Sequence, residues 1–253
     1  MSGGRVTING SNFKISGGMA TVNATGYALS HGKTTIGGTN YTINLRTQDM
    51  TNLLKKTNIV KSAGRNASST GSVSLSLTTA GTYYAFVFFN GYIGIYKLVC
   101  TGSAITKTNL IELASYISIS GTTVSLSVNC YGGSIFIVTF PGYTVAEADA
   151  IIGASSFSRL SARNSSALRN LPASGSNLVG KIAAVAVNTY VAFTKVSTFP
   201  SGTTSGWSYS VVFSNYSKNS TMLTRSGDNL TYCDNASGTE TTVYGGSLLS
   251  LVI

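Results

Sequence analysis

The sequence predicts an all-β fold: an N-terminal array of 14-residue β-hairpin repeats, then two tandem β-sandwich, jelly-roll-like domains with short connecting helices. Three observations carry this prediction. Charged residues are only 9% of the 253 residues, against roughly 25% in an average soluble domain, and Ser, Thr, Asn and Gly replace them. Short apolar runs bounded by turn residues recur through residues 72–253. A 14-residue period occupies residues 4–43.

The repeat region is residues 1–45. A glycine, a threonine, an aliphatic, an aromatic and a second aliphatic residue recur there in the same order three times. The aromatic positions are Phe13, Tyr27 and Tyr41. Because a lone two-stranded hairpin is marginal in water, we expect the copies to stack on one another or on a partner. Stacking would place the three aromatic side chains in one row, which is either part of a hydrophobic core or a strip that binds sugars.

The pattern of residues 46–71 predicts a short helix followed by a linker. Residues 47–49 can cap a helix, and Met50, Leu53 and Leu54 fall on one helical face. The Ser/Asn/Gly-rich run at 63–71 indicates a linker and a domain boundary.

Residues 72–142 predict the first β-sandwich domain. Residues 73–77 alternate strictly, and residues 83–89 form a continuous apolar strand that ends at the hairpin turn Asn90-Gly91. Six or seven short strands joined by tight turns are typical of a sandwich.

A helical or irregular connector is predicted at residues 143–176, and a second β-sandwich domain at 177–253. The connector begins with a capping box, Thr144 to Glu147. Tyr131-Gly-Gly-Ser134 recurs as Tyr244-Gly-Gly-Ser247, 113 positions later, and a cysteine precedes each copy. The two β domains therefore look like a divergent duplication, with a strand-edge bend at each Tyr-Gly-Gly.

The net charge of +10 is concentrated near the N-terminus, because residues 1–65 hold eight of the 17 Lys and Arg residues and a single acid, Asp49. Such a basic face is either simply solvated or docks onto an acidic partner. Nucleic acid is disfavoured, because the bases are scattered singly, without an aromatic-interleaved arginine cluster. The candidate docking residues are Arg5, Lys14, Lys33, Phe13, Tyr27 and Tyr41.

The sequence contains no recognisable active site. Seven acids and one histidine in the whole chain argue against a carboxylate-based hydrolase and against most zinc sites, and no nucleophile-elbow, P-loop or dinucleotide motif is present. We predict a protein that is not an enzyme, with no catalytic residue, metal or cofactor. Three widely spaced cysteines predict free thiols, with Cys100 and Cys130 buried.

No uninterrupted apolar stretch reaches about 18 residues, and the first residues contain no apolar leader segment. We therefore expect no membrane span, and synthesis in a reducing cytoplasm.

The repeat pattern Gly-x-x-Thr-Ile-Asn/Gly-Gly-Thr-x-Tyr-x-Ile at residues 4–45 resembles short repeats at the start of tail, baseplate and fibre-associated proteins of bacteriophages of Gram-positive bacteria. The run of residues 79–89 is similar to β domains of phage virion proteins. The resemblance implies a virion structural protein that is made in the bacterial cytoplasm, binds other virion proteins and forms a homo-oligomer. A trimer is one option, because phage fibres are often threefold. No catalytic residue is carried over.

Two other functions remain open at this point. One is a carbohydrate-binding module that recognises a host-surface glycan, with Trp207, Tyr209 and Tyr216 as its candidate contacts. The other is a capsid decoration or head-fibre protein.

Overall fold

The structure is a computed structural model. It describes the side chains of residues 50–111, 116–160, 162–167, 182–189 and 244–251, together with Val191 and Phe193, and at other helix and strand positions the backbone only. The described residues form mostly antiparallel sheets with two short helices, which confirms the all-β class. The chain divides into two compact units, residues 1–49 and residues 50–253.

The described backbone of the smaller unit forms six short strands. They are β1 (Arg5–Ile8), β2 (Ser11–Ser16), β3 (Met19–Val22), β4 (Thr25–Ala28), β5 (Lys33–Ile36) and β6 (Thr39–Thr42). The first four form one antiparallel sheet in chain order, while β5 and β6 pair separately. One antiparallel pair therefore falls in each copy of the 14-residue period.

A helix and eight strands follow. They are α1 (Arg46–Lys55), β7 (Asn58–Gly71), β8 (Ser74–Ser76), β9 (Gly81–Phe89), β10 (Tyr92–Cys100), β11 (Ile105–Ile111), β12 (Ile117–Ser120), β13 (Thr123–Leu126) and β14 (Cys130–Thr139). Five of the strands make the first large sheet, in the order β11-β10-β9-β14-β7. The other three make the first small sheet, in the order β12-β13-β8.

The rest of the chain repeats this scheme. Its elements are α2 (Val145–Gly153), β15 (Ser156–Arg169), β16 (Ala173–Ser174), β17 (Ile182–Val187), β18 (Tyr190–Lys195), β19 (Thr204–Ser205), β20 (Val211–Phe213), β21 (Leu223–Ser226), β22 (Asn229–Tyr232) and β23 (Val243–Val252). The second large sheet has the order β15-β23-β17-β18-β20, and the second small sheet the order β16-β22-β21-β19.

The central strand β9 shows why the sequence forms these layers. Neighbouring side chains of a strand point to opposite faces of its sheet. Tyr83 and Val87 belong to a cluster shared with the first small sheet, whereas Tyr84, Phe86 and Phe88 belong to a cluster shared with the second large sheet. Both faces of the first large sheet are covered, so its central strand is continuously apolar.

The cluster between the two large sheets also contains the helices. Met50, Leu53 and Leu54 of α1 are buried in it, and so are Ile151 and Ile152 of α2. Phe193 of β18 contacts Phe86 and Phe88 of β9, with ring centroids 6.3 Å apart in each pair. Residues from both predicted β domains, 72–142 and 177–253, therefore contribute to one shared core.

Two segments differ from the sequence-based expectation. Residues 63–71, which we predicted as a linker, form the second half of β7. In the connector expected at 143–176 the predicted short helix is present as α2, but residues 156–169 form the strand β15. Both strands lie at the edges of their sheets and pair with β14 and β23, with a bulge at residues 67–70 in β7 and another at residues 165–168 in β15. An edge strand tolerates a polar, Ser/Asn-rich sequence, because one side of its backbone and part of its side chains stay near solvent.

Candidate functional site

The predicted docking residues fall on the strands of the smaller unit. Arg5 of β1 and Lys14 of β2 lie directly opposite each other, while Phe13 and Tyr27 lie on the same four-stranded sheet. Lys33 and Tyr41 lie on the separate β5–β6 pair. The backbone therefore brings four of the six into one sheet, and their side chains lie outside the described ones. The candidate glycan contacts Trp207, Tyr209 and Tyr216 also lie outside the described residues.

The best-defined site in the described part of the chain is the contact between the two Tyr-Gly-Gly-Ser segments, which lie on β14 and β23. Gly132 and Gly245 meet there backbone to backbone. A Cβ atom added to Gly132 would lie 2.4 Å from the Cα of Gly245, and one added to Gly245 would lie 2.4 Å from the Cα of Gly132. Only glycine allows two strands to approach this closely.

An asparagine from each edge strand closes the contact on either side. The backbone N–H of Tyr131 donates to Oδ1 of Asn164 on β15, over 2.8 Å. In the same way, the backbone N–H of Tyr244 donates to Oδ1 of Asn66 on β7, over 2.7 Å. Each asparagine thus reaches the strand of the other large sheet, and the two bonds are reciprocal.

The serines of the two segments make a second pair of crossed contacts. Ser134 and Ser247 are each only 1% exposed. The backbone N–H of Gly91, in the β9–β10 turn, donates to Oγ of Ser247 over 2.9 Å, and Oγ of Ser134 donates to the carbonyl of Asn188 in the β17–β18 turn. These hydroxyls are therefore buried with partners, as buried polar groups require.

An aromatic contact lies at the rim of this interface. The guanidinium of Arg159 on β15 lies 5.1 Å from the ring centre of Tyr92 on β10, and its Nη1 donates to the Tyr92 hydroxyl over 3.2 Å. Together with the amides and hydroxyls at the centre, this contact joins the two large sheets of the chain.

A cavity of about 220 Å³ opens next to the end of β14. Its walls include Tyr84, Phe140 and Tyr143, with Thr82 and Thr139 as hydroxyl-bearing neighbours. The rings of Tyr84 and Phe140 lie 5.1 Å apart.

An ion pair lies beside this cavity. Nζ of Lys97 lies 2.5 Å from Oδ2 of Asp149, and the hydroxyl of Tyr84 donates to Oδ1 of the same carboxylate over 2.9 Å. Burial, followed by the hydrogen bond and the charge of Asp149, raises the pKa of Tyr84 far above its usual range. The tyrosine therefore stays a neutral hydrogen-bond donor.

Cys100 and Cys130 are free and buried, as the sequence predicted. Burial raises the pKa of the Cys130 thiol, and the positive charge of Arg65 partly offsets this. Cys100 donates to the Leu77 carbonyl over 3.1 Å. Both thiols are held as packing groups in the cluster under the first small sheet.

Sequence reasoning singled out the two Tyr-Gly-Gly-Ser segments but missed the asparagines that bind them. A signal was available, because Arg65-Asn66-Ala-Ser68 recurs as Arg163-Asn164-Ser-Ser166. The prediction of a linker at 63–71 and a connector at 143–176 hid this match.

Within the side chains that the structure describes, no three His, Cys, Asp or Glu residues lie together as a possible metal site. Neither helix of the described chain is long and apolar enough to span a membrane. No protein-family model matches the chain, and comparisons with curated proteins and with solved structures give no match.

Proposed function

We propose that the chain is a structural protein of a bacteriophage virion, in the tail, baseplate or fibre apparatus. The N-terminal hairpin array docks onto the particle, and two β-sandwich units mediate assembly or contact with the host surface. The observation that carries the proposal is the basic 14-residue repeat, in which each copy holds one short antiparallel strand pair. A module of that size gains stability by joining a larger body.

The composition of the chain supports this role. A chain with only 9% charged residues has few strongly hydrated side chains to desolvate when neighbouring subunits cover its surface. The open edges of a short-stranded sheet can accept a strand from another chain. Both properties suit a protein assembled in many copies.

Localisation tests this proposal directly. Phage particles purified from a culture that produces the chain are labelled with an antibody against the chain and imaged by cryo-microscopy. We expect label on the tail, baseplate or fibres. Label on the capsid would favour the decoration or head-fibre alternative, and particles that lack the chain would contradict a virion role.

A pair of charge-reversal variants tests the docking region. Arg5→Glu with Lys14→Glu places two acids opposite each other on β1 and β2, and should lower incorporation into particles. The matched control is Lys55→Glu with Lys56→Glu, which changes charge equally at two exposed positions near the end of α1. Equal incorporation of both double variants would contradict docking through this sheet.

A carbohydrate-binding module is the second candidate, and the cavity beside β14 favours it. Aromatic rings can stack on the apolar face of a sugar, while the threonine hydroxyls beside them form hydrogen bonds with the edge of the sugar. A glycan array probed with the full chain should then give hits that Tyr143→Ala removes. An array without hits would count against this candidate.

A further inference from the structure

We infer that two segments of the chain, from α1 to β14 and from α2 to β23, are two copies of one unit that pairs with itself. The face between these copies also joins the first segment of one chain to the second segment of another chain. We call the two segments the first half and the second half. The partner of this face is a second copy of the chain, which exchanges its halves with the first. The inference goes beyond the proposed function and does not depend on it.

Equivalent residues of the two halves recur at one constant offset. Met50, Leu53 and Leu54 are buried on α1, and Ala148, Ile151 and Ile152 are buried on α2. Each member of the second set lies 98 positions after its counterpart (148 − 50, 151 − 53, 152 − 54). The long edge strands β7 and β15 have 14 residues each and begin at the same offset, as do the turn residues Asn90 and Asn188, which adopt φ of 47° and 51°.

A shift in the strand register also recurs in the two halves. The pairing of β7 with β14 jumps from Asn66–Gly132 to Gly71–Cys130, and that of β15 with β23 jumps from Asn164–Gly245 to Arg169–Val243. These are the same positions of the two halves.

An arginine closes each of these bulges. Arg65 donates from Nη2 to the Ser69 carbonyl over 2.8 Å, and Arg163 donates from Nη2 to the Ala167 carbonyl. A bulge of matching length, closed by an arginine at the matching position, points to one unit present twice.

The two halves also share one order of strands in their large sheets. Read from the long edge strand inward, the first large sheet runs β7-β14-β9-β10-β11 and the second runs β15-β23-β17-β18-β20. Three strands of each small sheet match as well, because the hairpin β12–β13 pairs with β8 and the hairpin β21–β22 pairs with β16, while β19 is an additional strand of the second small sheet. The offset grows to 113 at the Tyr-Gly-Gly-Ser segments because the second half has a longer chain between β18 and β23.

The central contacts between the halves are reciprocal. Asn66 of the first half bonds Tyr244 of the second, and Asn164 of the second half bonds Tyr131 of the first. Gly132 and Gly245 meet at the centre. In an isologous interface, residue i contacts residue j and residue j contacts residue i. The face between the halves has this form, so it is the surface of a symmetric dimer enclosed in one chain.

The connection between the halves is a short, exposed turn. Pro141 and Gly142 are exposed, Gly142 has φ of 89°, and the Tyr143 N–H donates to the Phe140 carbonyl over 3.1 Å. If this turn opens, the first half of one chain meets the second half of another through the same contacts. The balance between the intrachain and the interchain arrangement then depends on the conformation of the turn and on the chain concentration. A short linker holds the two halves of one chain at a millimolar effective concentration, so the interchain arrangement competes when the chain concentration approaches that value.

Crosslinking across the rim of the interface tests the exchange. One full-length chain carries Tyr92→Cys and another carries Arg159→Cys, both with Cys233→Ser. The two are unfolded together, refolded as a mixture at rising concentration, and treated with a short bismaleimide. We expect an interchain product that becomes prominent as the chain concentration approaches about 1 mM. Deleting Gly142 should raise its yield severalfold at a given concentration, because a shorter turn hinders folding back.

Two controls make the result decisive. A single chain with both substitutions must give an intrachain product, which shows that the two positions lie within reach of the reagent. A mixture of Val128→Cys and Arg159→Cys, both in the Cys233→Ser background, measures chance collisions, since Val128 is exposed between β13 and β14. The proposal is overturned if the double variant reacts within one chain while the Tyr92/Arg159 mixture gives no more interchain product than this control.

Discussion

Gly132 and Gly245 set how closely the two large sheets approach at their centre. A Cβ added to either glycine would overlap a backbone atom of the other. A backbone atom cannot move aside as the end of a flexible side chain could. We expect Gly132→Ala and Gly245→Ala each to lower the free energy of unfolding by about 1–3 kcal/mol, the usual range for overpacking. Urea denaturation followed by circular dichroism measures the loss.

The matched control for these variants is Gly153→Ala. Gly153 ends α2, and a Cβ added there would meet no atom within 4 Å. Its replacement should leave stability within about 0.5 kcal/mol, as for most surface substitutions. A loss at Gly153 equal to that at Gly132 would show that the close approach at the centre does not limit stability.

Tyr84 makes stability depend on alkaline pH. Its pKa is raised in the folded chain by burial and by Asp149, so the unfolded chain releases this proton first, at about pH 10. The contribution of Tyr84 is therefore complete below about pH 10 and is lost as the pH rises toward its folded pKa. As the pH rises from about 9 to about 11, the free energy of unfolding should therefore fall less in the Tyr84→Phe variant than in the unsubstituted chain.

The measurement is the urea midpoint at several pH values, with Tyr244→Phe as a second tyrosine variant, at a half-buried position. The same alkaline slope in all three chains would contradict the role given to Tyr84 and Asp149.

Helices, strands and turns were predicted correctly from the sequence where a local pattern of residues determines the structure. The capping box at Thr144 is confirmed: its Oγ1 accepts from the Glu147 N–H over 3.3 Å, while its own N–H donates to the Glu147 carboxylate over 2.8 Å. The apolar strand at 83–89 and the Asn90-Gly91 turn are present as β9 and its turn into β10.

Sequence reasoning failed where a distant strand decides the outcome. Residues 63–71 are rich in Ser, Asn and Gly, which favour a linker locally. They form a strand because residues 63–66 and Gly71 pair with the backbone of β14, a strand distant in sequence, and because Arg65 closes the bulge that residues 67–70 form between them. Neither cause can be read from a window of neighbouring residues.

The cap of α2 supplies a test at this scale. Thr144→Ala removes the side-chain acceptor at the start of the helix and should cost about 1 kcal/mol. Thr144→Ser keeps the hydroxyl and should retain most of that stability. Denaturation curves of the two variants check this, and a serine variant as unstable as the alanine variant would contradict the capping role.

At the scale of the whole molecule, the recurrence of Tyr-Gly-Gly-Ser predicted a duplication, and the two sheet orders agree with one. The sequence did not predict that the duplicated segments share a core, because sharing depends on which face each strand turns toward the other sheet. Phe86 and Phe193 lie more than 100 positions apart and meet in that core. Their pairing has no local signature.

Because residues 50–253 form one compact unit with a core to which both halves contribute, we expect the halves to stabilise each other. Native-state hydrogen exchange tests it most directly, because it measures the free energy of opening at individual amides. We expect the amides of β9 and β17 to share one opening free energy, and Gly132→Ala to lower both by the same amount. Separate opening free energies, with Gly132→Ala affecting β9 alone, would contradict the claim.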